Sequence, residues 1–173
     1  LMDVSGHGDG AAMHSVTVMN VLRQRALPGI DFSNPGAVLS SLNDRFPMET
    51  HNSLYFTMWY GVYRIPHRTL AYGSAGQHPA FLVSPARNAT QPLGVPGLMI
   101  GAIPDQIYEV LTTPIEDGSN LYLFSDGVFE IVTPEQQRWM LPDFLPMLLE
   151  PAGDGVSEPK RLFQRVRQAA RSG

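Results

Sequence analysis

The order of apolar and polar positions predicts two helices near the start of the chain. Between Asp9 and Ala26 the apolar residues fall on one wide helical face, and Asp9 is placed to cap the first turn. The residues on that face are Ala11, Ala12, Val16, Val18, Met19 and Leu22. Asn34 and Pro35 match the preferred cap and first position of a second helix, which is predicted to run up to Pro47.

Strands are predicted in the middle of the chain. From Leu54 to Arg64 the residues are aromatic and β-branched with almost no polar alternation, so both faces of this strand are expected to be covered. A strand covered on both faces indicates a layered fold. Further strands are predicted near residues 69–74, 80–83, 107–112 and 120–124.

Two more helices are predicted at the end of the chain, Leu141 to Leu149 and Ser157 to Arg171. The second is expected to turn its apolar residues inward, namely Leu162, Phe163, Val166, Ala169 and Ala170. It also carries a basic set, Lys160, Arg161, Arg165, Arg167 and Arg171. Such a face can bind an acidic partner or RNA, but cations also suit a helix C-terminus, and we favour a solvated face. Helices, then strands, then helices is an α+β order.

Composition narrows the classes of function. With Lys+Arg 12 and Asp+Glu 16 in 173 residues, the formal net charge is −4, which disfavours binding to nucleic acid. The absence of cysteine excludes disulfides, thiolate zinc sites and cysteine nucleophiles. The sequence has no apolar run of membrane-spanning length, and its first residues lack signal-peptide features, so we expect no membrane partner. At this length one domain is expected.

Two short segments contain candidate chemistry. In the first, Asp3 is followed by three glycines, the last of them Gly10, and then by a predicted helix. Glycines let the backbone approach a ligand, and a helix N-terminus favours an anion, although spacing alone fits a structural turn equally well. In the second segment, Asp126 and Gly127 end a hydrophobic strand. A buried aspartate there needs a partner or a metal, whereas Asp-Gly turns are also common.

These two segments belong to a longer series of motifs. In chain order the series is Asp3-Val4-Ser5-Gly6-His7-Gly8 with Ala11-Ala12, Leu42-Asn43, Phe56-Thr57-Met58 with Tyr60-Gly61-Val62, Ala75-Gly76 with His78-Pro79, and Ser125-Asp126-Gly127-Val128 with Glu130. Over almost the whole chain this series resembles the bacterial phosphatases of the SpoIIE and RsbU kind, a branch of the metal-dependent protein phosphatase 2C (PPM) superfamily. The D-V-x-G-H-G and S/T-D-G-V-x-E motifs make the resemblance specific.

The resemblance implies a fold and a metal centre. The fold is α+β, a four-layer α-β-β-α sandwich of two antiparallel sheets, with two Mn²⁺ or Mg²⁺ ions at one edge between the sheets. By this resemblance Asp3 bridges the two metals, the carbonyl of Val4 adds a ligand, and Asp126 binds one metal from the other sheet. Carboxylate and carbonyl oxygens suit hard divalent cations. The catalytic candidates are Asp3, Asp126 and His7.

Three polar residues near these motifs need separate interpretation. His7 could protonate the leaving serine oxygen, but in eukaryotic relatives the histidine directly follows the Asp-Gly pair, whereas here two more residues intervene. His14 is expected to be a surface or capping histidine rather than a ligand. Gln77 stands where the family more often has histidine, in a segment expected to shape a turn between strands.

The resemblance also indicates segments outside this chain. The family's first metal-binding segment, Gly-Asp-Phe/Tyr-x-Asp, would precede residue 1, and its closing Asp-Asp-x-Thr-Leu strand would follow Gly173. Residues 1–173 are therefore expected to be a single phosphatase-like domain without its first and last strands, downstream of a sensor or response-regulator domain in the same polypeptide. If ligands within this chain complete the metal site, Asp9 and Glu130 are the candidates.

The expected function is that of a cytoplasmic, metal-dependent phosphoserine/phosphothreonine protein phosphatase. The resemblance implies a phosphorylated anti-sigma-factor antagonist as its substrate. The alternative is a non-catalytic phosphatase-fold scaffold or binding module within a response regulator. Asp3 and Asp126 argue against this alternative, since a degenerate site would be free to lose them.

Overall fold

The computed structural model describes residues 1–134, 136–151, 153 and 155–170. They form two compact units. Unit 1 comprises Leu1–Ala80 and Leu93–Ile115, and unit 2 comprises Phe81–Pro92 and the described residues from Glu116 onward. Each unit has its own sheet, helices and buried apolar cluster.

The helices and strands follow one another in the predicted α+β order, apart from one short strand before the first helix. In chain order they are β1 (Met2–Val4), α1 (Asp9–Arg23), α2 (Pro35–Arg45), β2 (Phe56–Arg64), β3 (Thr69–Ala75), β4 (Ala80–Val83), β5 (Thr90–Leu93), β6 (Leu111–Pro114), β7 (Asn120–Tyr122), α3 (Leu141–Leu149) and α4 (Glu158–Ala170). Within the described residues, no helix combines the length and apolar character needed to cross a bilayer.

Unit 1 contains a four-stranded sheet in the order β1-β2-β3-β6, and its neighbouring strands are antiparallel. β1 pairs with the start of β2 through Met2↔Met58, Asp3↔Thr57 and Val4↔Phe56. β3 pairs with the rest of β2, from Trp59↔Ser74 to Arg64↔Thr69. The position of Asp3 is therefore set by the register of β1 on β2.

Helices α1 and α2 cover one face of this sheet. The buried cluster there consists of Val18, Val21, Leu27, Val38, Leu39, Leu42, Phe46, Phe56, Met58, Ala75, Ile100 and Tyr108. On the opposite face Trp59 stacks on Tyr72 with 5.8 Å between ring centroids, and its indole N–H donates to the carbonyl of Leu93 at 2.8 Å. Both faces of β2 are covered near its start, as predicted, whereas Tyr63 and Arg64 at its end are exposed.

Asn43 attaches an irregular segment of unit 1 to α2. This side chain is 2% exposed; its Oδ1 accepts from the N–H of Gly101 at 2.9 Å, and its Nδ2 donates to the carbonyl of Ile103 at 2.8 Å. Gly101 has a φ of +92°, and a Cβ there would lie 2.4 Å from the carbonyl oxygen of Phe46, so the position requires glycine. Asn43 thus satisfies backbone groups that no strand pairs.

Unit 2 contains a three-stranded sheet in the order β5-β4-β7, in which β4 and β7 are antiparallel. Its buried cluster is largely aromatic and consists of Phe81, Val83, Tyr122, Phe124, Phe129, Phe144 and Leu148. Phe124 stacks on Phe81 at 5.8 Å and meets Phe144 edge-on at 5.0 Å between ring centroids. This cluster holds α3 against the sheet.

A partly buried polar network fastens the end of α3. Arg87 donates to the carbonyls of Leu148 and Glu150 at 3.1 and 2.9 Å, and it pairs with Glu158 at 2.6 Å. The Nε of Arg161, which is 8% exposed, donates to the other oxygen of Glu158 at 2.7 Å. Helix ends leave carbonyls without intrahelical partners, and Arg87 satisfies two of them.

The covered face of α1 differs from the predicted one. Val16 is 53% exposed and Met19 is 36% exposed, and the residue before the helix that caps it is Gly8 rather than Asp9. The buried residues of α1 are Ala11, His14, Val18 and Val21. The apolar residues of this helix extend over more of its circumference than one packed stripe, so only packing decides which of them are covered.

In α4 the prediction was partly wrong. Leu162 and Val166 pack against the cluster of unit 2, but Phe163 is 61% exposed. The basic set does not form a solvated face throughout, because Arg161 is buried and Arg165 pairs with Glu150 at 2.7 Å. Of this set, Arg171 lies outside the described residues.

Two strand boundaries in the structure differ from the predicted ones. β6 begins at Leu111 rather than at residue 107, and β7 ends at Tyr122 rather than at residue 124. The strand β5 was missed because Pro92 interrupts it, and proline lacks the N–H that a strand interior uses.

His14 is buried, so the expectation of a surface or capping histidine was wrong. It is 7% exposed, and its ring lies 5.4 Å from the rings of Phe46 and His51 and 5.7 Å from that of Phe56. Burial and, to a smaller extent, the neighbouring His51 lower the pKa of His14 below its ordinary value of 6.5. The folded protein therefore favours the neutral imidazole, while the unfolded chain takes up a proton more readily.

We predict that His14 makes the stability of the chain fall in mild acid. Below pH 6.5, the ordinary His14 pKa, the unfolded state binds a proton that the folded state resists. Urea unfolding at pH 7.5, 6.5 and 5.5 should show a smaller loss of free energy for His14→Leu than for the wild type. The exposed His67 offers the control His67→Leu, which should retain the wild-type loss. Equal losses in all three proteins would contradict the prediction.

A second prediction concerns Asn43. The Asn43→Ala variant leaves the N–H of Gly101 and the carbonyl of Ile103 without their partner. Because each buried unpaired polar group costs about 1–3 kcal/mol, the free energy of unfolding should fall by roughly 2–4 kcal/mol. Asn20→Ala, on the exposed face of α1, is the matched control and should change the stability little. Equal stabilities for the two variants in denaturant titration would refute the anchoring role.

Candidate functional site

Asp3 is presented by a short strand whose other side chains are held in the core. Met2 and Val4 pack against the buried cluster of unit 1, and Asp3 between them is exposed. Because side chains alternate along a strand, the carboxylate points to the opposite face of the sheet. Directly opposed residues share a face, so Asp3 and Thr57 lie side by side there.

The loop after β1 is tied back to the sheet. The N–H of Ser5 donates to the carbonyl of Tyr55 at 2.9 Å, and the N–H of Tyr55 donates to the hydroxyl of Ser5 at 3.0 Å. Gly6 and Gly8 have φ values of +83° and +88°, which favour glycine, and Gly8 caps α1 without any side chain. The loop thus ends at a helix N-terminus that has no side-chain cap and carries the carboxylate of Asp9 in its first turn.

His7 lies between these two glycines and is exposed. Its side chain is free to meet a ligand at the loop, which is compatible with a general acid.

Asp126 lies in unit 2, in a 3₁₀ turn at Asp126–Val128. Its carbonyl accepts from the N–H groups of Phe129 and Glu130, each at 2.9 Å. Phe124 and Phe129 on either side are buried, whereas Asp126 itself is exposed. The strand pattern suggested a buried aspartate, but the structure shows Asp126 as an exposed acid. It lies on a turn that is anchored at both ends by the buried rings of Phe124 and Phe129.

The two residues suggested as additional metal ligands, Asp9 and Glu130, differ in their surroundings. Glu130 pairs with Arg138 at 3.2 Å, which reduces its availability for a metal. Asp9 is exposed as the first residue of α1. Asp9 is therefore the better of the two candidates.

A polar pair beside Asp3 was missed by the sequence analysis. The hydroxyl of Thr57 donates to the Oε1 of Gln77 at 2.6 Å. Thr57 lies within a recognised motif, but only its register opposite Asp3 reveals the contact. Gln77 follows β3 in the Ala75–Pro79 turn that the sequence analysis interpreted as structural.

The residues available for a metal are hard oxygen donors. The carboxylate of Asp3, the carbonyl of Val4 and the carboxylate of Asp126 are the donor types that Mn²⁺ and Mg²⁺ take. Among the described residues, however, no three or more His, Cys, Asp and Glu side chains form a group able to hold a metal ion. Each of these donors fits such a metal in kind.

The comparisons with known proteins agree on one family. The profile of the family described as Stage II sporulation protein E (SpoIIE) matches residues 1–173. Phosphoserine phosphatase RsbU of Bacillus subtilis (strain 168) is 32% identical over 133 residues, which are 77% of this chain and 39% of that protein. The chain thus spans less than half the length of this curated relative.

Solved structures show the same fold. The PP2C phosphatase domain of SpoIIE from Bacillus subtilis, with a fragment of its regulatory domain, aligns with a TM-score of 0.75 at 19% identity, covering 99% of this chain and 49% of that one. RsbX in complex with magnesium aligns with a TM-score of 0.63 at 17% identity, covering 97% of this chain and 71% of that one. The predicted α+β fold of the protein phosphatase 2C type is confirmed.

From the incomplete ligand set we predict that residues 1–173 bind Mn²⁺ weakly. Two carboxylates and a carbonyl leave most of the hydration shell of a divalent ion undisplaced. Calorimetric titration should show no pair of sites tighter than roughly 10 μM, about −7 kcal/mol each. Asp3→Asn should weaken the residual binding, and Asp105→Asn, in an exposed loop, should not. Two tighter sites would mean that this chain contains further ligands, with Asp9 the first to test.

Proposed function

Because the chain belongs to the SpoIIE family, we propose that it is the catalytic part of a metal-dependent phosphoserine/phosphothreonine protein phosphatase. The observation that carries the proposal is the exposed carboxylate of Asp3. It lies on β1, whose three residues pair with β2, and a glycine loop and the N-terminus of α1 follow it in the chain. An anionic phosphoryl group needs a cation to approach such a carboxylate. A metal ion held by Asp3 would supply that cation.

We assign the metal ligands as follows. Asp3, the carbonyl of Val4 and Asp126 would hold Mn²⁺ or Mg²⁺, with two ions in the intact domain. A metal held there would make a bound water acidic and would offset charge that develops on the phosphoryl oxygens. The chain's contribution is rigidity, since Asp3 and Asp126 both stand on backbone fixed by hydrogen bonds.

His7 is proposed as the residue that protonates the leaving serine oxygen. It lies in the same loop as Asp3, is exposed, and has flanking glycines that let the backbone come close to a substrate. Asp9, next to the N-terminus of α1, is the proposed auxiliary ligand.

The proposed substrate is a phosphorylated anti-sigma-factor antagonist protein, in a cytoplasmic signalling system. The support is the similarity to RsbU, a phosphoserine phosphatase, over most of this chain. A sensor or response-regulator domain upstream in the same polypeptide is proposed to control the activity. Nucleic acid is not a proposed partner, because the net charge is −4.

The alternative is a non-catalytic phosphatase-fold scaffold or binding module within a response regulator. A scaffold would retain the fold and bind its partner without metal. The two functions differ in whether the full-length protein hydrolyses phosphoserine.

We predict that the full-length protein releases phosphate from a phosphoserine peptide only with Mn²⁺ or Mg²⁺. Asp126→Asn should lower kcat by on the order of 10², the usual cost of one lost electrostatic contact in a transition state. Asp105→Asn should retain wild-type kcat. Phosphate release in EDTA, or an unimpaired Asp126→Asn protein, would count decisively against a metallophosphatase, and a wild type inactive with both metals would favour the scaffold.

A further inference from the structure

The hydrogen bond between Thr57 and Gln77 places an amide group beside Asp3. Thr57 is the cross-strand partner of Asp3, so the Cβ atoms of the two residues are about 4.5–5.5 Å apart on one face of the sheet. The hydroxyl of Thr57 donates to the Oε1 of Gln77 at 2.6 Å. The side chain of Gln77 therefore reaches the face that presents the Asp3 carboxylate.

The backbone holds Gln77 in this place. The hydroxyl of Ser74, which is 1% exposed, donates to the carbonyl of Gln77 at 2.8 Å. Gly76 forms a bridge to Met58 on β2 and has a φ of +69°; a Cβ on it would lie 3.1 Å from the backbone nitrogen of Met99. The reversal that brings Gln77 to β2 thus depends on glycine and on a buried serine.

The direction of the Thr57 hydrogen bond decides which end of the amide can meet a ligand. The carbonyl oxygen of the Gln77 amide accepts from Thr57, so the N–H₂ group is the end left to donate. Gln77 is only half-buried, which leaves its amide accessible. A neutral donor next to a carboxylate suits the oxygens of a phosphoryl group, because it adds hydrogen bonds without competing for the metal.

We propose that Gln77 binds the phosphoryl group of the substrate at the Asp3 site, and that Thr57 positions it by fixing the orientation of its amide. The inference rests on the proposed phosphatase function. It gives Gln77 a role in substrate binding in addition to its structural role in the Ala75–Pro79 turn. Thr57 acts through Gln77 and is a positioning residue.

The test uses the full-length protein with Mn²⁺ and inorganic phosphate as the probe. Gln77→Glu keeps an oxygen that accepts from Thr57 and replaces the N–H₂ group by a second oxygen, while Gln77→Ala removes the whole amide. Thr57→Val removes the hydroxyl alone. Gln91→Ala, exposed on β5, is the matched control. Phosphate affinity and Mn²⁺ affinity are measured by calorimetry, together with Tm and with KM and kcat on p-nitrophenyl phosphate.

We expect Gln77→Ala to weaken phosphate binding and raise KM by roughly tenfold, the effect of one hydrogen bond to a charged group, with Mn²⁺ affinity and Tm unchanged. Gln77→Glu should lose more phosphate affinity than Gln77→Ala, because its carboxylate repels the phosphate. Thr57→Val should lose less phosphate affinity than Gln77→Ala. Gln77→His, which supplies a ring N–H as donor, should bind phosphate more tightly than Gln77→Ala.

Wild-type phosphate affinity in Gln77→Ala and Gln77→Glu overturns the inference and leaves the proposed function intact. Loss of Mn²⁺ affinity together with a lower Tm in Gln77→Ala also overturns it, because the residue is then structural. A wild type that neither binds phosphate nor hydrolyses p-nitrophenyl phosphate with Mn²⁺ refutes both the inference and the proposed function.

Discussion

The pairing of β1 with the first residues of β2 is the constraint on which the Asp3 site depends. Three residues of β1 are enough because Met2 and Val4 are packed into the core and Ser5 exchanges hydrogen bonds with Tyr55. A slip of one residue would turn Val4 outward and Asp3 into the apolar cluster, where an unpaired carboxylate is costly. Burial of its neighbours therefore keeps Asp3 exposed.

Polar side chains that are buried or partly buried perform a related task elsewhere in the chain. In unit 1 Asn43 holds the backbone at Gly101 and Ile103, and in unit 2 Arg87 holds the end of α3. Both satisfy backbone groups that lie outside regular pairing. Hydrogen bonds of this kind add modest net stability, but the loss of one partner leaves the other unsatisfied in a dry environment. They therefore specify where irregular segments lie.

The candidate chemistry is carried by exposed acids on rigid backbone. Asp3 stands on a paired strand, and Asp126 stands on a turn between the buried rings of Phe124 and Phe129. Exposure keeps such a carboxylate available for a hard cation, and rigidity keeps its direction. The hydrogen bond from Thr57 gives the amide of Gln77 the same property, a fixed direction at an accessible position.

The sequence by itself determined the family, the α+β order, the long strand β2 and the candidate acids Asp3 and Asp126, because motif order and apolar patterns are local properties of a chain. Only the tertiary structure decided which side of an amphipathic helix is covered. It buried His14 among aromatic rings, left Val16 exposed and buried Arg161 in an ion-pair network. The contact of Thr57 with Gln77 likewise joins residues 20 positions apart, through a strand register and a glycine reversal that no pattern of hydrophobicity encodes.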